Sequence, residues 1–188
     1  GANTTGVRNT GIGREALVAN TTGGYNVAVG MASLSSNTTA SYNTGLGYGA
    51  LSANTTGANN TGVGLSALTA NTTADNNTAL GFYALKANTT GAYNTSVGTY
   101  ALDDNTTATH NTAIGYAAMD ANTTGVSNVA VGSQALDANT TASYNTAVGQ
   151  AALSASTATG GTAVGYGALA ANVEKNYETA VGYQALTT

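Results

Sequence analysis

The chain has 188 residues and a net charge of −4, with charged residues at only 6% and no Pro, Cys or Trp. That charge is far below the usual quarter of residues, and the missing Pro and weak net charge argue against a disordered tail. No basic patch is available for phosphates, no apolar run reaches membrane-span length, and no disulfide framework can form, so nucleic acid and a membrane span are not expected. No leader-like segment opens the chain, which reads as a mature or excised segment.

One period organises the sequence. A unit of 17 residues, N-T-T-[GA]-x-x-N-T-[AG]-[VIL]-G-x-x-A-L-x-A, fits eleven copies between residues 3 and 188. Residues 3–155 form nine regular copies, and residues 156–188 form two irregular ones, read as a transition or cap. Copy ten is one residue short and starts with Ser156; copy eleven carries Asn172-Val173-Glu174-Lys175 in place of N-T-T-G. Helical-hairpin repeats need about 33 residues or more, so this period predicts a parallel β-solenoid with one coil per unit. A 34-residue coil made of two halves is the alternative.

Each unit opens on a polar turn. Its first Asn recurs at Asn3, Asn20, Asn37, Asn54, Asn71, Asn88, Asn105, Asn122 and Asn139. A second Asn recurs at Asn9, Asn26, Asn43, Asn60, Asn77, Asn94, Asn111, Asn128 and Asn145. Coils stacked about 4.8 Å apart turn such columns into hydrogen-bonded ladders, and eleven coils make a rod about 50 Å long. After N-T-T, copies two to nine alternate Gly23, Ala40, Gly57, Ala74, Gly91, Ala108, Gly125 and Ala142, and the next residue is polar after each Ala. This points to duplication of a 34-residue pair.

A short strand follows, such as Asn145-Thr146-Ala147-Val148. Its aliphatic column (Ile12, Val29, Leu46 and their copies) and the later Leu column (Leu17, Leu34, Leu51 and their copies) are expected to fill the interior from two sides. Thr two residues before the aliphatic position shares its face. The Ala/Gly/Ser column from Gly11 to Ala180 then points outward, where only small groups are admitted, as if another subunit came close. Gly13, Gly30, Gly47 and their copies are expected at a turn with positive φ; a phosphate-cradling loop would need a following helix, and none is signalled.

The segments Asn145-Thr146-Ala147-Val148-Gly149 and Asn111-Thr112-Ala113-Ile114-Gly115, each followed by x-x-A, resemble the head repeats of YadA-type trimeric autotransporter adhesins. They are more similar still to phage tail-fibre repeats, and the resemblance covers all eleven copies. It implies a left-handed β-roll, a homotrimer seamed through the Ala/Gly/Ser column, and a place outside the cell, on a virion or a cell surface. The repeat here is longer than the adhesin one, with the extra residues in N-T-T-G-x-x.

Candidate sites are few. His110 is the only histidine, and no nucleophile–base set repeats, so no catalytic residue or cofactor is expected and the chain is not read as an enzyme. Asp103, Asp120 and Asp137 share one column beside Asp104 and are weak metal candidates, against the plainer reading of an acidic stripe. Tyr25, Tyr42, Tyr93 and Tyr144 form a column suited to packing or to stacking on a cell-surface sugar; a protein receptor is the other partner considered. A further aromatic column holds Tyr48, Phe82, Tyr116, Tyr166 and Tyr183. Every N-T-T is formally an N-glycosylation acceptor. These features predict a structural fibre or adhesin segment, a rod that projects or forms a receptor-binding surface. An ice-binding solenoid and a self-assembling extracellular filament are the alternatives; Thr4-Thr5 side by side fits ice poorly, because neighbours in a strand face opposite ways.

Overall fold

A computed structural model describes residues 2–171 and 175–187. The Asn172–Glu174 part of the expected cap lies outside the described residues. The protein is an all-β parallel solenoid with one three-residue strand per coil. The strands are β1 (Thr10–Ile12), β2 (Val27–Val29), β3 (Thr44–Leu46), β4 (Thr61–Val63), β5 (Thr78–Leu80), β6 (Thr95–Val97), β7 (Thr112–Ile114), β8 (Val129–Val131), β9 (Thr146–Val148), β10 (Thr162–Val164) and β11 (Thr179–Val181). They stack in chain order in a single 11-stranded parallel sheet. Thr10 pairs with Val27 and Thr44 with Thr61, so one coil is 17 residues and the 34-residue alternative is excluded. Between β9 and β10 the step is 16, because Thr162 pairs with Thr146, and the sheet absorbs the missing residue of copy ten outside the strand.

The sheet is one wall of each coil. The opposite wall runs from the invariant glycine through Ala-Leu and is built of turns, with Ala16 N donating to Gly13 O and Leu17 N donating across to Ser33 O of the next coil. This wall alternates in handedness. The non-glycine residues at Glu15, Leu17 and their copies hold φ of +48° to +62°, as at Leu34 (+48°) and Ser66 (+54°). Left-handed backbone costs an L-residue about 1–2 kcal/mol, and coil-to-coil hydrogen bonds on both sides of these residues offset it.

The core lies between the walls and is made of Leu and Ala. Leu34, Leu51, Leu85, Leu136 and Met119 are fully buried, packed on Ala67, Ala101 and Ala118 of the turn wall and Ala28, Ala79 and Ala113 of the strands. This reverses one expectation. The small strand column points inward, and the Thr and aliphatic columns point outward, with Val148 37% and Val181 71% exposed. The reason is clearance. A Cβ added at Gly62 would meet Leu51 Cγ at 3.3 Å and Ala67 O at 3.2 Å, so the Leu column has already taken the space. The close approach that restricts this column is the coil's own opposite wall, and the column from Gly11 to Ala180 is therefore not a subunit seam.

Candidate functional site

The polar corner of the coil carries two different ladders. In the first Asn column the side chains bond to one another: Asn37 Nδ2 donates to Asn20 Oδ1 at 2.8 Å, and Asn71 Nδ2 to Asn54 Oδ1 at 2.8 Å. The same amide closes its own turn, as Asn71 Nδ2 donates to Ala74 O at 3.0 Å. The second column works through the backbone instead. Asn43 N donates to Asn26 Oδ1 at 2.9 Å, while Asn26 Nδ2 donates to Ala40 O at 2.8 Å in the next coil. Asn20 to Asn139 of the first column and Asn26 to Asn145 of the second are buried. Eight of the nine N-T-T acceptor amides thus sit inside the folded rod, with Asn3 alone exposed, and a transferase cannot reach the rest.

The two threonines of N-T-T also divide. Thr21 Oγ1 donates to Thr38 O at 3.0 Å, and Thr38 Oγ1 to Thr55 O at 3.2 Å, so the first Thr belongs to the ladder while Thr22 and Thr39 are exposed. The 34-residue alternation has a local cause that sequence reading missed. Gly24 N donates to Ser41 Oγ, Ala58 N to Asp75 Oδ1 and Val126 N to Ser143 Oγ. In these three pairs the polar residue accepts from the backbone amide of its apolar counterpart in the coil before it.

Copy ten interrupts both ladders. Asn145 Oδ1 still accepts from Gly161 N at 2.8 Å, but its Nδ2 is buried without a hydrogen-bond partner. The missing residue moves the carbonyl that this amide meets in every regular coil.

On the surface the Tyr25 column forms short stacks. Tyr25 and Tyr42 stack at 4.9 Å and 15°, with the Arg8 guanidinium over Tyr25 and its Nη1 donating to the Tyr25 hydroxyl at 2.6 Å. Tyr93 stacks on His110 at 5.0 Å and 18°. Tyr144 is exposed. All of these residues have φ near +60°, which tilts the column out of the coil.

The acidic column is uneven. Asp103 is buried and its Oδ2 accepts from Lys86 Nζ at 2.9 Å, an ion pair one coil apart that the sequence reading did not single out. Burial raises the Asp103 carboxyl above its ordinary value, more than the Lys86 hydrogen bond lowers it. Burial also raises Asp120, reinforced by the charges of Asp103 and Asp104, and burial raises Asp137. The Asp103 hydrogen bond raises Lys86. Among the described residues no group of three or more His, Cys, Asp or Glu is placed to hold a metal ion, so Asp103, Asp120 and Asp137 do not assemble a metal site.

A carboxyl raised in the folded state destabilises the fold above that raised value. The rod is therefore expected to gain stability as pH falls from neutral through it towards the unfolded value near 3.8. Asp120→Asn is expected to raise the melting temperature at pH 7 and to flatten this slope. A variant with unchanged melting at pH 7 would show that the carboxylate carries no such penalty.

No protein-family model, no curated protein and no solved structure matches the chain. Among the described residues no helix is long and apolar enough to cross a membrane.

Proposed function

We propose that the chain is a structural segment of a fibre or surface adhesin, a rigid rod outside the cell, on a virion or a cell surface, that assembles as a homotrimer. The reading assigns it no catalysis. Its support is the outward face of the sheet. Thr61 and Val63, Thr78 and Leu80, and their copies form two rows along all eleven strands, half-exposed or exposed, with none of the described residues folded over them. A strip three residues wide and eleven strands long covers about 500 Å² by strand rise and spacing, and three chains together bring about 1,500 Å², the size of a stable interface. The seam is thus the Thr/aliphatic face, not the small-residue column.

The same face supports one rival. A flat, charge-free lattice of hydroxyls and methyls at a fixed spacing also suits the surface of ice. Sedimentation decides between them. The wild type is expected at the mass of three chains, and Leu80→Asp with Ile114→Asp at the mass of one, with little loss of single-chain stability because both side chains are exposed in the single chain. A wild type of one chain that shows thermal hysteresis favours ice. A trimer that survives both substitutions places the seam elsewhere.

A further inference from the structure

In a rod of near-identical coils like groups stand in rows, and coils five to seven bring several unlike groups together. Phe82 and Tyr83 stack at 4.0 Å, and Tyr100 stands edge-on to Phe82 at 5.4 Å and 90°. Tyr116, in the next coil, meets Tyr100 at 6.3 Å and 82°. Tyr100 thus fills the gap between two rings that belong to one column two coils apart, and those two rings stay open, Phe82 37% and Tyr116 55% exposed. Lys86 Nζ lies 4.7 Å from the centre of the Tyr83 ring and ties this shelf to Asp103. The cluster combines apolar ring faces with charged acceptors and one donor at its margin.

A second observation marks the same place. The Asp103 side chain is only 10% exposed, and its Oδ1 is buried with no hydrogen-bond partner. Regular coils put Ser35, Ser52 or Thr69 in this column, where a small hydroxyl side chain suffices. A buried, half-satisfied carboxylate is costly, and departures of this kind from local rules concentrate at functional sites.

We propose that Phe82, Tyr100 and Tyr116 form a binding shelf for a neutral oligosaccharide, whose sugar faces would stack on the open rings. The inference rests on the reading of the rod as a receptor-binding segment. Three rings spread over two coil steps span about 10 Å by strand spacing. A shelf about 10 Å on a side offers on the order of 100 Å², the footprint of a short glycan and far below the roughly 800 Å² per partner that a protein contact needs. The surplus of acid over the single Lys86, itself paired, disfavours anionic sugars.

The test is binding of the full chain to an immobilised panel of neutral, sialylated and sulfated oligosaccharides, with tyrosine emission as a second readout, since the chain has no Trp. Wild type is expected to hold one or more neutral glycans. Phe82→Ala with Tyr116→Ala should weaken that binding at least tenfold at unchanged far-UV circular dichroism and unchanged mass, while Tyr42→Ala leaves it intact. Binding to no glycan, binding confined to anionic glycans, loss in Tyr42→Ala alone, or capture of a purified surface protein in place of sugar each overturns the assignment. A glycan-binding single chain would remove the trimer and leave the shelf standing; a trimer blind to all sugars would do the reverse.

Discussion

Gly81→Ala is expected to open the rod at its middle. Gly81 holds φ +143°, and an added Cβ would lie 2.5 Å from Gly98 O and 2.7 Å from Gly98 C, both backbone atoms of the next coil. The neighbour cannot rotate away as a side chain would; the two coils must part. Strained backbone costs about 1–3 kcal/mol and overpacking about as much again. A loss of roughly 3 kcal/mol or more in urea unfolding is expected, with the break falling between coils because each coil contacts only its neighbours. Gly49→Ala is the control. Gly49 also has positive φ, at +65°, but its nearest foreign atom is Ser66 Oγ at 3.6 Å, and Ala32 and Ala117 already occupy that column at +58° and +50°. It should cost only the left-handed backbone term, about 1–2 kcal/mol. Equal losses in the two variants would mean that φ, rather than the approach of the next coil, dictates the invariant glycine.

The second large effect is expected at Asn71→Leu. Leucine nearly conserves volume, so the cost is polar. Asn71 Nδ2 serves both Asn54 Oδ1 and Ala74 O, and Asn88 Nδ2 donates to Asn71 Oδ1 at 3.0 Å. The substitution strips three buried groups of a bond. Each unsatisfied group costs about 1–3 kcal/mol, less where Asn88 keeps its bond to Gly91 O. A total of about 3–6 kcal/mol is expected from equilibrium unfolding. Asn71→Ser should lose less, because Ser156 fills the equivalent place in copy ten and its Oγ accepts from Ala158 N. Asn71→Leu melting like wild type would mean that the ladder does not hold the coils together.

The period of the sequence carried the fold class and coil length, because stacking repeats every side chain at one spacing. It did not carry the direction of the strand. Thr-Ala-Val reads as large-in, small-out, and the inversion follows only from knowing that Leu68 and Ala67 of the turn wall already fill the interior opposite Ala79. The difference between the two Asn ladders was likewise hidden, since both columns show the same residue at the same period. The aromatic shelf was half legible. Phe82 and Tyr116 stand out as a column, but Tyr100 sits one position later in its repeat, and only the turn geometry brings it between them. Lys86 left a signal that was available: it precedes Asp103 by one period, which places opposite charges on adjacent coils.

Uniform coils have a kinetic consequence. If every coil offers the next the same surface, a growing stack can skip a unit and pair Thr44 with Thr78 almost as well as with Thr61, looping out the coil between. The native order then has few competitors only where coils differ. The Lys86–Asp103 pair, the Ser41 and Asp75 acceptors that suit one neighbour only, and the 16-residue step into β10 are such differences. They act as alignment marks along an otherwise degenerate template, so that erasing them should slow faithful refolding more than it lowers the stability of the finished rod.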